Sequence, residues 1–150
     1  MASTGQSNSG RRHDPYVGFA FLVEIGQQRV AGFSEVAGLL MESEVASLRV
    51  GGVNDHAWQL PGPARYPSRL TLKRGLGDVS YLWDWYAGVL QGRIERRDVA
   101  IHLNDRQGGE LRSWTFRQAC PVKWTGPDLR ADVSAVAFET VELVHRGVAP

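Results

Sequence analysis

Lys73 to Asp78, KRGLGD, sets Gly75 and Gly77 just before a helical segment. Free backbone N–H groups and the helix dipole attract anions at such a junction. The stretch lacks the third glycine and the hydroxyl of a phosphate loop, and Asp78 occupies the place an anion would take, so capping of the helix is the expected role. Arg49 to Asp55, RVGGVND, has adjacent glycines between two extended pieces, which is the composition of a hairpin tip rather than of a phosphate cradle. His13, His56, His102 and His145 are scattered without His-x-x-x-His or Glu-x-x-His spacing, so no metal site is expected. No serine sits in a Gly-x-Ser-x-Gly elbow, Cys120 lacks the surroundings of a nucleophile, and no carboxylate pair is spaced for shared acid–base work. An enzyme and a cofactor both lack support.

The tryptophans give a second kind of candidate. Trp83 falls on the apolar stripe of a helix and Trp114 lies in a strand, so both are expected in the core. Trp85 lies off that stripe with Tyr81 and is expected at an exposed aromatic edge, suited to a subunit interface or, alternatively, to a small-ligand or carbohydrate binding module. Lys123 beside Trp124, in PVKWTGPDL, resembles a cation–aromatic pair, but strand periodicity puts the two side chains on opposite faces. Pro121 and Pro127 are read as bracketing a short strand that forms a rigid corner, with Trp124 as packing anchor and Lys123 turned toward a neighbour.

These residues need a scaffold, and 150 of them can bury roughly 68–70% of their unfolded surface without a metal or disulfide. The single cysteine excludes an intrachain disulfide and a thiolate cluster. With 17 basic and 16 acidic residues interspersed, the chain carries no electrostatic footprint for duplex nucleic acid. Residues 1–13 are small and polar and are expected to form a flexible arm ahead of one domain spanning 14–150. Arg11 and Arg12 precede an apolar run, but Asp14, Pro15 and Glu24 argue against a signal peptide. No segment has the ~20 apolar residues of a membrane span, so synthesis and folding in the cytoplasm are expected.

Phe19, Phe21, Val23 and Ile25 share one parity, which predicts a strand that turns at Gly26 to Gln28 into a second strand, RVAGFSEVAG. A third strand is predicted from about Glu42 to Val50, followed by two short extended pieces whose ladder the prolines of PGPARYP should break. Val79, Leu82, Trp83, Tyr86, Val89 and Leu90 recur at helical spacing between an Asp78 N-cap and a Gly92 C-cap, predicting a helix over about 78–91. RRDVAIHLND, the turn RQGG and ELRSWTFRQAC form a second hairpin. In the last strand, Val133 to Val144, Val136, Phe138 and Val144 alternate with Ala135, Ala137, Val141 and Leu143. Apolar groups on both faces ask for two coverings, and Val141 and Leu143 are assigned to a subunit interface. The sum is a mainly β, α+β plan: an antiparallel barrel or sandwich of about seven or eight strands with one flanking helix.

In order along the chain, VAGFSEVAGL, LTLKRG, DWY, the Arg96–Arg97 pair and PVKWTGP closely resemble the tail-tube proteins of contractile phage tails and of phage-tail-like extracellular contractile injection systems, from about Asp14 to Gly147. The resemblance implies a structural protein without catalytic residues, metal or cofactor, similar in fold to type VI secretion tube proteins. It implies hexameric rings stacked into a hollow tube, with a sheath around it, baseplate or spike and tube-terminating proteins at its ends, and cargo or DNA in its lumen. Particles of this kind assemble from cytoplasmically made subunits without a membrane-embedded segment. A long hairpin, here about Met41 to Gln59, is implied to reach a neighbouring subunit or ring. The expected interface residues are therefore Glu44, Ala46, Leu48, Gly51, Gly52, Asn54, Asp55, Tyr81, Trp85, Lys123, Val141 and Leu143.

Overall fold

A computed structural model describes residues 20–52, 54–75, 81–132 and 136–149. The elements run β1 (Ala20–Ile25), β2 (Gln28–Val30), β3 (Phe33–Ala37), β4 (Glu42–Leu48), β5 (Trp58–Arg65), β6 (Leu70–Gly75), α1 (Tyr81–Leu90), β7 (Arg97–Asn104), β8 (Glu110–Thr125), β9 (Phe138–Val144) and β10 (Val148–Ala149). Among the described residues ten strands exceed the seven or eight expected, because β2 and β10 are short pieces of kinked strands; the mainly antiparallel plan with one described helix is as expected.

Eight strands form one antiparallel sheet in the order β2-β1-β7-β8-β9-β6-β3, with β10 beside β8. Inner-face residues from across that path, Ile25, Val99, Ile101, Phe116, Val141, Leu143, Leu70 and Leu72, share one buried cluster, so the sheet curls around a single core. A sheet turns such corners where a strand bends and changes partner. β8 is one corner: Arg97 to Asn104 of β7 face its first part, and β9 faces Cys120 to Thr125. Between these halves the register shifts and Gln118 takes φ 52°, its N–H donating to the Asp98 carboxylate at 2.9 Å. PVKWT is therefore the end of a 16-residue strand, not a short strand bracketed by Pro121 and Pro127. The corner lies three residues upstream of Pro121, and the buried Pro121 continues the strand.

The other corner divides RVAGFSEVAG. The chain turns tightly at Gly26 and Gln27, both at positive φ, and β2 pairs with β1 as expected. Beyond Gly32 the chain leaves that ladder, and β3 pairs with β6 instead. Gly38, at φ 92°, closes this strand where any Cβ would collide with the Arg69 carbonyl oxygen, so only glycine lets the two backbones approach.

The helix C-terminus is as expected: Gly92 N–H reaches Val89 O at 3.0 Å and Arg93 N–H reaches Gly88 O at 2.8 Å, the paired bonds of a glycine cap. Asp78 and Val79 lie outside the described residues, as does the 1–13 arm. The face turned to the core differs from expectation. Leu82, Trp85 and Gly88 are buried, whereas Trp83 is 42% exposed.

The corner between β9 and β10 holds His145, whose ring packs edge-on against Tyr66 and Phe116 with centroids 5.2 and 4.9 Å away. Nδ1 accepts the Gly147 N–H at 3.2 Å, and Nε2 is buried without a hydrogen-bond partner. Burial holds the His145 pKa below its ordinary value. A depressed value means that the unfolded chain takes the proton more readily. The contribution is complete above the unfolded value of about 6.5 and is lost as pH falls through the lower folded value. Thermal melts across pH 5 to 7.5 should show acid destabilisation that is smaller in His145→Gln; an identical acid loss in the variant would contradict this role.

Candidate assembly interface

β4 and β5 form a separate two-stranded sheet in which every residue is exposed. An isolated hairpin is at best marginally stable in water, and monomers rarely display contiguous apolar surface of this kind. Register places Ala46 opposite Leu60 and Leu48 opposite Trp58, giving one face an apolar stripe; Val45 opposite Pro61 and Ser47 opposite Gln59 form the other face. Trp58 is 56% exposed and Val45 64%. Leu39, Leu40 and Met41 extend the exposed apolar surface to the hairpin base. Glu44 faces Arg65 at 3.5 Å, an exposed pair worth about 0–1 kcal/mol.

The expected tip residues Gly51, Gly52, Asn54 and Asp55 lie together in the loop between these strands. The Asp55 carboxylate meets His56 Nδ1 at 2.8 Å, and the His56 ring stands edge-on to Trp58. β4 ends at Leu48 rather than Val50. β5 contradicts the expectation of a broken ladder, because it runs through Pro61 and Pro63. A proline is tolerated where its nitrogen faces the open side of an edge strand, and the register shift between Ser43 and Val45 absorbs the irregularity.

The other expected interface residues are dispersed. Lys123 is exposed on β8, 3.5 Å from Glu142 of β9. Tyr81 and Trp85 do not make an exposed aromatic edge. Trp85 is 3% exposed, and its Nε1 donates to Glu95 O at 2.8 Å. Tyr81 is half-buried, and its hydroxyl accepts from Arg97 Nη1 at 2.6 Å. The Arg97 guanidinium lies 5.2 Å from the centroids of both rings and bonds Glu95 Oε2 at 2.9 Å. That hydrogen bond and charge hold the Glu95 carboxyl below the usual carboxylate range. Arg97 thus clamps α1 to β7, which removes both the interface role of Trp85 and the small-ligand or carbohydrate platform.

Val141 and Leu143 also need correction, since both are fully buried on the core side of β9. Their strand is apolar on two faces, but the exposed face is that of Phe138 and Val144, each 37% exposed. Val45, Trp58 and Leu60 are exposed apolar residues of the arm that the sequence reading did not single out. Alternating Trp58 and Leu60 beside edge-compatible prolines was the available signal. Among the described residues no group of His, Cys, Asp and Glu could hold a metal, and no helix is long and apolar enough to cross a membrane.

Residues 17–149 match the family described as T4-like virus tail tube protein gp19. No curated protein matches the chain. Among solved structures, a chain of an extracellular contractile injection system, the PVC sheath-tube complex in its extended state, is 25% identical with a TM-score of 0.77, covering 98% of this chain and 97% of that one. A chain of the anti-feeding prophage baseplate is 26% identical with a TM-score of 0.73, covering 91% and 95%. Hcp1 from Flavobacterium johnsoniae shares the fold at 15% identity and a TM-score of 0.59, covering 86% and 92%. With the family match spanning nearly all of its length, and with a curled antiparallel sheet, one described helix and an exposed arm, the chain belongs to the tail tube family of structural proteins.

Proposed function

We propose that the chain is a subunit of the inner tube of a contractile injection particle, six copies closing a ring and rings stacking into a conduit that a contracting sheath drives through a target envelope. The observation that carries this reading is the β4–β5 arm, exposed throughout and apolar along one face, which a lone subunit leaves in water. Head-to-tail contacts between identical copies cover such a surface and generate rings or stacks. The tube domain is assigned to residues 14–150. Glu44, Ala46, Leu48, the loop tip and Lys123 face other copies. Sheath, baseplate or spike and terminating proteins are the outer partners, and the chain performs no catalysis and holds no cofactor.

Negative-stain microscopy of the purified protein is expected to reveal rings or tubes. Leu48→Lys combined with Trp58→Lys should leave a folded subunit that no longer assembles, because both positions are exposed in the subunit. A wild-type protein that stays monomeric across assembly conditions would overturn the reading.

A further inference from the structure

The two strands of the arm differ in what their outer edges offer. In an antiparallel pair, residues alternate between positions whose N–H and C=O point at the partner and positions whose groups point away. Pro61 has no N–H, yet the ladder holds on both sides of it, from Leu60 opposite Ala46 to Ala64 opposite Ser43. The Val45–Pro61 pair is therefore of the outward-pointing kind. Two residues along, Ser47 opposite Gln59 is of the same kind. On β5 the outer edge loses its donor at Pro61, and Pro63 follows at the register shift. Proline at such positions blunts an edge against strand addition. On β4 the outward N–H and C=O groups of Val45 and Ser47 are intact, and no proline interrupts Glu42–Leu48.

We infer that β4, and not β5, is the edge through which the arm engages a second copy of the chain, by main-chain hydrogen bonding of its outward groups to an open strand edge of that copy. This rests on the tube reading. A second copy carries complementary edges of its own: β2 and β3 end the eight-stranded path, each with a partner on one side only. Strand addition draws its affinity from backbone bonds, with side-chain pockets supplying selectivity. The one-sided block makes the contact directional, so that one arm adds to one neighbour and cannot bridge two through the same sheet. Directional contact of this kind gives a closed ring or a continuing stack in place of a face-to-face dimer.

The test compares Ser47→Pro with Gln59→Pro. The two residues face each other in one pair, so each substitution removes one outward N–H and adds the same ring, but on opposite edges. Ser47→Pro is expected to abolish rings and tubes in electron micrographs while circular dichroism and melting temperature match wild type. Gln59→Pro is expected to assemble normally. In wild type, hydrogen exchange at Val45 and Ser47 should slow at least tenfold on assembly, with Gln59 unchanged. Tubes formed by Ser47→Pro, or protection appearing at Gln59 instead, would overturn the inference while leaving the tube reading intact. Wild-type protein that forms no rings would instead overturn the reading beneath it.

Discussion

Glu139→Leu is expected to destabilise the subunit by about 3–5 kcal/mol, the cost of breaking a buried ion pair by removing one partner. Arg74 of β6 and Glu139 of β9 stand directly opposite each other, at 5% and 1% exposure, with Nε 2.6 Å from Oε1. The second carboxylate oxygen accepts the Trp124 Nε1–H at 2.9 Å, so one carboxylate ties three neighbouring strands. Trp124 in turn meets Trp83 of the helix edge-on, with ring centroids 4.7 Å apart. Removing the carboxylate strands part of the Arg74 charge in the interior and frees an indole N–H at the same stroke. With a urea m-value of about 2 kcal/mol/M, the denaturation midpoint should fall by on the order of 2 M. Glu139→Gln keeps an acceptor for one donor and should fall between wild type and Glu139→Leu. A midpoint within about 0.5 M of wild type for Glu139→Leu would mean that the pair contributes little.

Val141→Glu should prevent folding rather than ring formation. Val141 is fully buried, and its strand neighbours Leu72 and Trp124 pair with it from either side. The cation nearest along that face, Arg74, is already paired with Glu139, so a second carboxylate there adds like-charge repulsion, and its effective burial penalty of several kcal/mol is comparable with a total stability of about 5–15 kcal/mol. The expected result is insoluble or unfolded protein by circular dichroism. A folded Val141→Glu subunit that merely fails to assemble would return this face to the interface.

The fate of Val141 marks where the sequence stops being legible. The family and the β-rich plan could be read, because the motifs keep their order and the hairpin turns carry their own chemistry at Gly26–Gln27 and around Gly108. The helix ending at Gly92 was equally plain. The helix phase was not, since Tyr81, Leu82, Trp83, Trp85, Tyr86, Val89 and Leu90 leave α1 apolar nearly all round, and a ten-residue helix offers few turns to average over. What settles the phase is Arg97, sixteen residues beyond Tyr81, whose side chain fills the gap beside Trp85. The last strand failed in the same way. Periodicity separates its two faces correctly but does not say which one meets the core, and the buried Glu139 on the core side argues by composition for the wrong choice. Of the expected hairpin, the first strand was legible, whereas the second was read only as a short extended piece, its ladder expected to break at prolines that are compatible with an edge.

The arm's attachment has a consequence for how such proteins can diversify. β3 and β6 pair directly, with Ala37 opposite Thr71 and Gly38 packed on Arg69, so the whole excursion between them leaves and returns at one point of the curled sheet. Lengthening a loop whose ends are already held together costs only about 0.6 kcal/mol per doubling. The sheet therefore places almost no constraint on how far the arm extends, and reach can be retuned by insertion or deletion in this one segment while the core sequence stays as it is.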